Sequence, residues 1–117
     1  MSYAIANIIY GVPLNRKAND LINKWEQDES SDLWYEDKDG ICGFRMLYTG
    51  SADYAGYCGV RLTSFDECGE DFRPISSLNV QPTQEQIDEM NSKIEKLHPD
   101  LRAILPEIGI YLVWSTS

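Results

Sequence analysis

The run YAIANIIYG, residues 3–11, constrains the fold more than any other stretch, because it is strand-like and apolar on both sides. Alternation puts Tyr3, Ile5, Asn7 and Ile9 on one face and Ala4, Ala6, Ile8 and Tyr10 on the other. Two largely apolar faces suit an inner strand of a sheet. Gly11 and Pro13 then break the pattern, and Asn15 is positioned to cap a helix whose Ala18, Leu21, Ile22 and Trp25 form one apolar stripe. That stripe is expected to lie on the sheet.

A second helix is marked over PTQEQIDEMNSKIEKLHPD. Thr83 and Gln86 have capping-box spacing, Glu85 suits the positive helix end, and Lys93 and Lys96 lie toward the negative one. Ile87, Met90, Ile94 and Leu97 recur at steps of three, four and three, which makes a packing face. Pro99 ends this helix or starts a short one through DLRAIL, before Pro106 and Gly109 interrupt the chain again. The closing IYLVWSTS alternates as a strand with Ile110, Leu112 and Trp114 on one side.

Between the helices, ICGFRMLYTGSADYAGYCGVRLTSF (41–65) reads as two short strands folded about a loop, and DECGEDFRPISSLNVQP reads as a long connection without useful periodicity. The element order is β-α-β-β-α-β with an extra helical turn before the last strand. It predicts an α+β fold, an antiparallel sheet with two main helices packed on one face, and it is compatible with the ferredoxin-like arrangement. The 117 residues fit one compact domain, 1–117, able to withdraw about 60–70% of its unfolded surface from water.

Parity within the hairpin puts Cys42, Phe44, Met46 and Tyr48 on one face and Gly43, Arg45 and Leu47 on the other. In the next strand Cys58, Val60 and Leu62 share the apolar face, leaving Tyr57, Gly59, Arg61 and Thr63 opposite. A register pairing Tyr48 with Cys58 and Met46 with Val60 sets Arg45 directly across from Arg61. Like charges so placed need an anion, and guanidinium groups suit bidentate contact with carboxylate or phosphate. The anion is either an acid from the flanking DESSDLWYEDKDG or DECGED segments, or a ligand. For a ligand the candidate residues are Arg45 and Arg61, with Tyr57, Tyr54 and Tyr48 available to stack and Asp53 in the intervening Gly/Ser-rich loop.

Nineteen acids against ten bases give a formal charge of −9, which disfavours nonspecific attachment to nucleic acid or to an anionic membrane. It suits a basic protein partner. The segment WEQDESSDLWYEDKD carries the candidate interface: Trp34 and Tyr35 as anchors, with Glu29, Asp32, Glu36, Asp37 and Asp39 to orient the partner. The competing role for Trp34 is to nail this loop to its own core.

No reaction is legible. Cys42, Cys58, Cys68 and His98 are too loosely spaced for a structural zinc site, and Cys42 and Cys58 point inward by parity. Cys68 lies among acids that oppose thiolate formation. YEDKDGIC touches the calcium-loop pattern at Asp37, Asp39 and Gly40, but Tyr35 and Met46 stand where carboxylates are required. Phosphate-cradling glycine motifs, metal-hydrolase helices and nucleophile elbows are absent. No cofactor and no metal are expected. Three cysteines without a compact pair, and no apolar run of about 18 residues, point to an intracellular protein that spans no membrane.

Two functions of different class therefore remain. One is a noncatalytic acidic interaction protein that regulates or inhibits a basic protein partner, a nucleic-acid-binding protein being one candidate. The other is a noncatalytic binding or sequestering protein for an anionic or nucleotide-like small molecule, with a homo-oligomer as a natural setting for the pocket. A small enzyme would need a reacting group that the chain does not advertise.

Overall fold

Strand β1 (Ala4–Pro13) takes an inner position in the computed structural model, as two apolar faces require. The structure describes residues 4–47, 49, 55–66 and 81–116, with backbone alone at 65 and 66. After β1 come α1 (Arg16–Gln27), β2 (Glu36–Asp37), β3 (Gly40–Ile41), β4 (Arg45–Leu47), β5 (Ala55–Asp66), α2 (Gln84–Glu95), α3 (Pro99–Arg102) and β6 (Gly109–Thr116). The fold is α+β. Strands β4, β5, β1 and β6 form one sheet in that order, antiparallel at every step, and β2 with β3 makes a separate two-stranded ribbon. Among the described residues no helix is long and apolar enough to cross a membrane.

Each helix starts on a polar cap. The Asn15 side-chain oxygen accepts from Ala18 N at 2.8 Å, and its Nδ2 donates to Ile104 O at 2.7 Å, so one residue begins α1 and ties it to the chain beyond α3. Thr83 Oγ1 accepts from Gln86 N and Gln86 Oε1 accepts from Thr83 N, a complete capping box on α2. At α3, Pro99 fills the first turn where no amide donor is needed, and His98 Nδ1 accepts from Asp100 N at 3.1 Å. The His98 ring also meets Trp25 edge to face at 5.1 Å between centroids.

These caps orient the helices so that their apolar faces converge. Ala18, Ile22 and Trp25 of α1, Met90 of α2, Leu97 just beyond it and Leu101 of α3 share one core with Val12, Cys58 and Phe44. Burying each large apolar side chain contributes about 1.5–3 kcal/mol relative to leaving it in water. A smaller cluster holds Ile9, Tyr57 and Val113, with Leu47 and Tyr111 against them. Buried Asn7 donates to Val113 O and Ser115 Oγ, both at 3.0 Å, which fastens β1 to β6.

The β1–β5 ladder contains a constriction. Gly11 stands opposite Gly59, with φ of +155° and +150°. A Cβ on Gly11 would collide with the Cys58 carbonyl oxygen, and one on Gly59 with the Tyr10 carbonyl oxygen. Only a glycine pair lets the two backbones approach this closely. Further along, the register shifts between Ile8 and Ile9, whose partners are Thr63 and Arg61.

Two parts of the sequence-based reading need correction. The strand expected from residue 42 begins at Arg45, because Cys42 and Gly43 form a tight turn with φ of +53° and +89°. Ile41 and Phe44 exchange backbone hydrogen bonds of 2.8 and 2.9 Å across it, as in a two-residue hairpin with both central residues left-handed. The second correction concerns register: Arg45 pairs with Tyr57, Met46 with Gly56 and Leu47 with Ala55, so Arg45 is not opposite Arg61. This ladder seats Met46 over Gly56, where an added Cβ would lie 3.2 Å from its Sδ. The shift is even, so side-chain parity survives it.

Candidate anion-binding cleft

Three local structures build one cleft. The first is a pair of consecutive tight turns. Lys38 and Asp39 turn β2 into β3, with Asp39 N donating to Asp37 Oδ1 at 2.9 Å, and Cys42 and Gly43 turn β3 into β4. The calcium-like sequence YEDKDG is thus a hairpin, and it delivers Lys38 and Asp39 to the cleft rim beside Gly43 and Arg45.

The second structure is β5, which supplies Tyr57, Gly59, Val60 and Arg61. The third is one side of α2, where Gln86, Glu89 and Lys93 recur at helical spacing while Met90 turns into the core. Lys93 Nζ donates to Gly59 O at 3.0 Å and pairs with Glu89 at 3.4 Å, clamping α2 to the strand at the glycine constriction.

The cleft encloses about 350 Å³. Its charged lining is Lys38, Arg45, Arg61 and Lys93 against Asp39 and Glu89, an excess of two positive charges within a chain of net charge −9. Both arginines are exposed. Among the described residues Lys93 pairs with Glu89 and His98 lies 3.8 Å from Asp100, so neither guanidinium is neutralised by a described carboxylate. Cations lining one cleft raise its local positive potential, which favours an entering anion.

The other anticipated residues fall as follows. Tyr57 lines the cleft but is only 4% exposed, packed with Ile9 and Val113, so it has no free ring face for stacking. Tyr48, Asp53, Tyr54 and Cys68 lie outside the described residues. Trp34 is half-buried against the main core, and its Nε1 is buried without a hydrogen-bond partner. Tyr35, Glu29, Asp32, Glu36 and Asp37 are exposed. Burial, followed by the charge of Asp37, raises the Tyr35 hydroxyl above its ordinary pKa.

Asp39, anticipated at a protein interface, lines the cleft. Lys38, Lys93, Gln86 and Glu89 escaped the sequence reading. The spacing of 86, 89 and 93 on one helical side was the available signal for three of them. Cys42 and Cys58 are buried free thiols. Burial pushes Cys42 up and Cys58 to about 11, so neither is a ready nucleophile. Among the described residues no cluster of three His, Cys, Asp or Glu groups is placed to hold a metal ion.

Comparison of the chain with protein-family models, with curated proteins and with solved structures returned no match.

Proposed function

We propose that this protein is a noncatalytic binding protein for a small anionic ligand carrying phosphate or carboxylate groups, held between Arg45 and Arg61. The observation that carries the reading is that two exposed guanidinium groups, unpaired with any described carboxylate, line one cleft with Lys38 and Lys93. Arginine forks favour bidentate contact with such groups, and backbone close to a glycine leaves room for them. Tyr57 is too covered to stack on a base, so the reading rests on the charged groups of the cleft. We also read the strand order β4-β5-β1-β6 with its intervening helices as the ferredoxin-like arrangement.

The test is calorimetric titration of inorganic phosphate and pyrophosphate into wild-type protein and into Arg45→Ala/Arg61→Ala. The expected result is binding that weakens by at least about tenfold in the double variant, the loss of charge-assisted hydrogen bonds. Absence of binding to wild type, or equal binding by the double variant, overturns the reading.

A second reading rests on a different surface. Glu29, Asp32, Glu36 and Asp37 are all exposed along one connection, with Leu33 and Tyr35 exposed among them, which suits a basic protein partner. Here Trp34 anchors the segment to its own core, and the partner would meet Leu33 and Tyr35 instead. Salt-sensitive capture of a basic protein, weakened by Asp32→Asn/Asp37→Asn, supports this surface. Capture indifferent to both counts against it.

A further inference from the structure

Resting on the reading of the cleft as an anion site, we infer that Gln86 is a third ligand-binding residue there, and that the group recognised is a tetrahedral phosphoryl group in preference to a planar carboxylate. Gln86 lines the cleft from α2, whereas Arg45 and Arg61 reach it from β4 and β5.

The Gln86 amide is already fixed at one end. Its Oε1 accepts from Thr83 N at 2.9 Å in the capping box that opens α2. That bond settles which end of the amide is which, because only the oxygen can accept from a backbone N–H. Nε2 is thereby held as a donor, and among the described residues it has no hydrogen-bond partner. The other two α2 side chains on the cleft do not fill this role. Lys93 Nζ donates to Gly59 O and pairs with Glu89, and the Glu89 carboxylate repels an anion. Gln86 is thus the uncommitted donor that α2 brings to the cleft.

The origin of the three donors decides the class of anion. Arg45 and Arg61 stand on adjacent strands of one sheet, and Gln86 stands on the helix that Lys93 clamps to β5. Donors from two strands and a helix approach a shared ligand from different directions. A carboxylate offers its two oxygens in one plane, whereas a phosphoryl group offers three that point to different sides. The phosphoryl group is the better match.

Titration calorimetry with inorganic phosphate, sulfate and malonate tests both parts. Sulfate and malonate are both dianions at neutral pH, so charge is matched while one is tetrahedral and the other carries planar groups. Wild type is expected to bind phosphate and sulfate at least about fivefold more tightly than malonate. Gln86→Met removes the donor without adding charge, and should weaken phosphate binding about tenfold, the scale of one hydrogen bond to a charged group. Gln86→Glu keeps the capping box and should weaken binding further, since a carboxylate replaces the donor. Thr83→Ala loses a capping bond but keeps the donor, and its affinity should stay within about twofold of wild type. Malonate bound as tightly as sulfate overturns the phosphoryl preference. Equal phosphate binding by wild type and Gln86→Met, or an equal loss in Thr83→Ala, overturns the role of Gln86. In each of these cases, loss of binding in Arg45→Ala/Arg61→Ala leaves the cleft reading standing, whereas a wild type that binds none of the three anions overturns both.

Discussion

Arg45 and Arg61 line the same cleft although the ladder sets Tyr57, not Arg61, across from Arg45. Four residues along β5 separate Tyr57 from Arg61, about 13 Å at the usual strand rise. The two guanidinium groups therefore approach a ligand from different places on the wall, which favours an anion with acceptor oxygens on more than one side.

Removing a carboxylate from the lining should strengthen anion binding. Glu89 faces the cleft and pairs with Lys93, while Lys93 is separately held by Gly59 O. Glu89→Gln is expected to tighten phosphate binding about threefold, the scale of one partly solvated charge interaction. Titration calorimetry at fixed ionic strength measures it, and weaker binding would mean that Glu89 is needed to hold Lys93 in place.

The glycine constriction should tolerate no side chain. Gly59→Ala places a methyl group against the Tyr10 carbonyl oxygen and near Met90 Sδ, at a φ of +150° that L residues rarely adopt. A loss of about 2–4 kcal/mol in urea unfolding is expected. A change below about 0.5 kcal/mol would contradict the close approach of β1 and β5.

The two helix caps should differ in cost. Thr83→Ala removes one exposed capping bond and is expected to cost about 1 kcal/mol. Asn15→Ala removes the α1 cap and also strands the Ile104 carbonyl, so about 2 kcal/mol is expected. Equal midpoints for the two variants in chemical denaturation would remove any weight from the Asn15–Ile104 tie.

Alkaline pH should destabilise the fold through its two buried thiols and the partly covered Tyr35 hydroxyl. Cys58 sits at about 11 against an ordinary thiol near 9.0, and Cys42 and Tyr35 are raised as well, burial being the first cause of each. A raised acid keeps its proton in the folded state while the unfolded chain has lost it. Stability is thus intact below about pH 9 and falls as pH rises through 11. Unfolding midpoints should drop between pH 8.5 and about pH 10.5, and Cys58→Ala should flatten that drop by up to about 2 kcal/mol. An identical slope in the variant would exclude Cys58 as a contributor.

Much of the framework was legible because its signals are local. Asn15 and the Thr83/Gln86 pair mark helix starts through bonds spanning three residues. Alternation along residues 3–11 pointed to an inner strand, and β1 is flanked by β5 and β6. The parity of Arg45 and Arg61 was also readable, since an even shift of register leaves it unchanged. Their partners were not readable. Cys-Gly at 42–43 is a weak turn signal, and seating Met46 over Gly56 is a preference between strands that neither strand carries alone.

The sequence by itself determined the α+β alternation, both capped helices and two arginines on like-facing strand positions, because periodicity and capping act within a few residues. Tertiary structure alone decided that Lys38 and Asp39 of a hairpin, Arg45 and Arg61 of two strands, and Glu89 and Lys93 of α2 line one space. It also decided that the face of β6 bearing Ile110, Leu112 and Trp114 is the exposed one. The reason is physical: a local pattern states which side chains share a face, whereas packing between distant segments decides what, if anything, covers it.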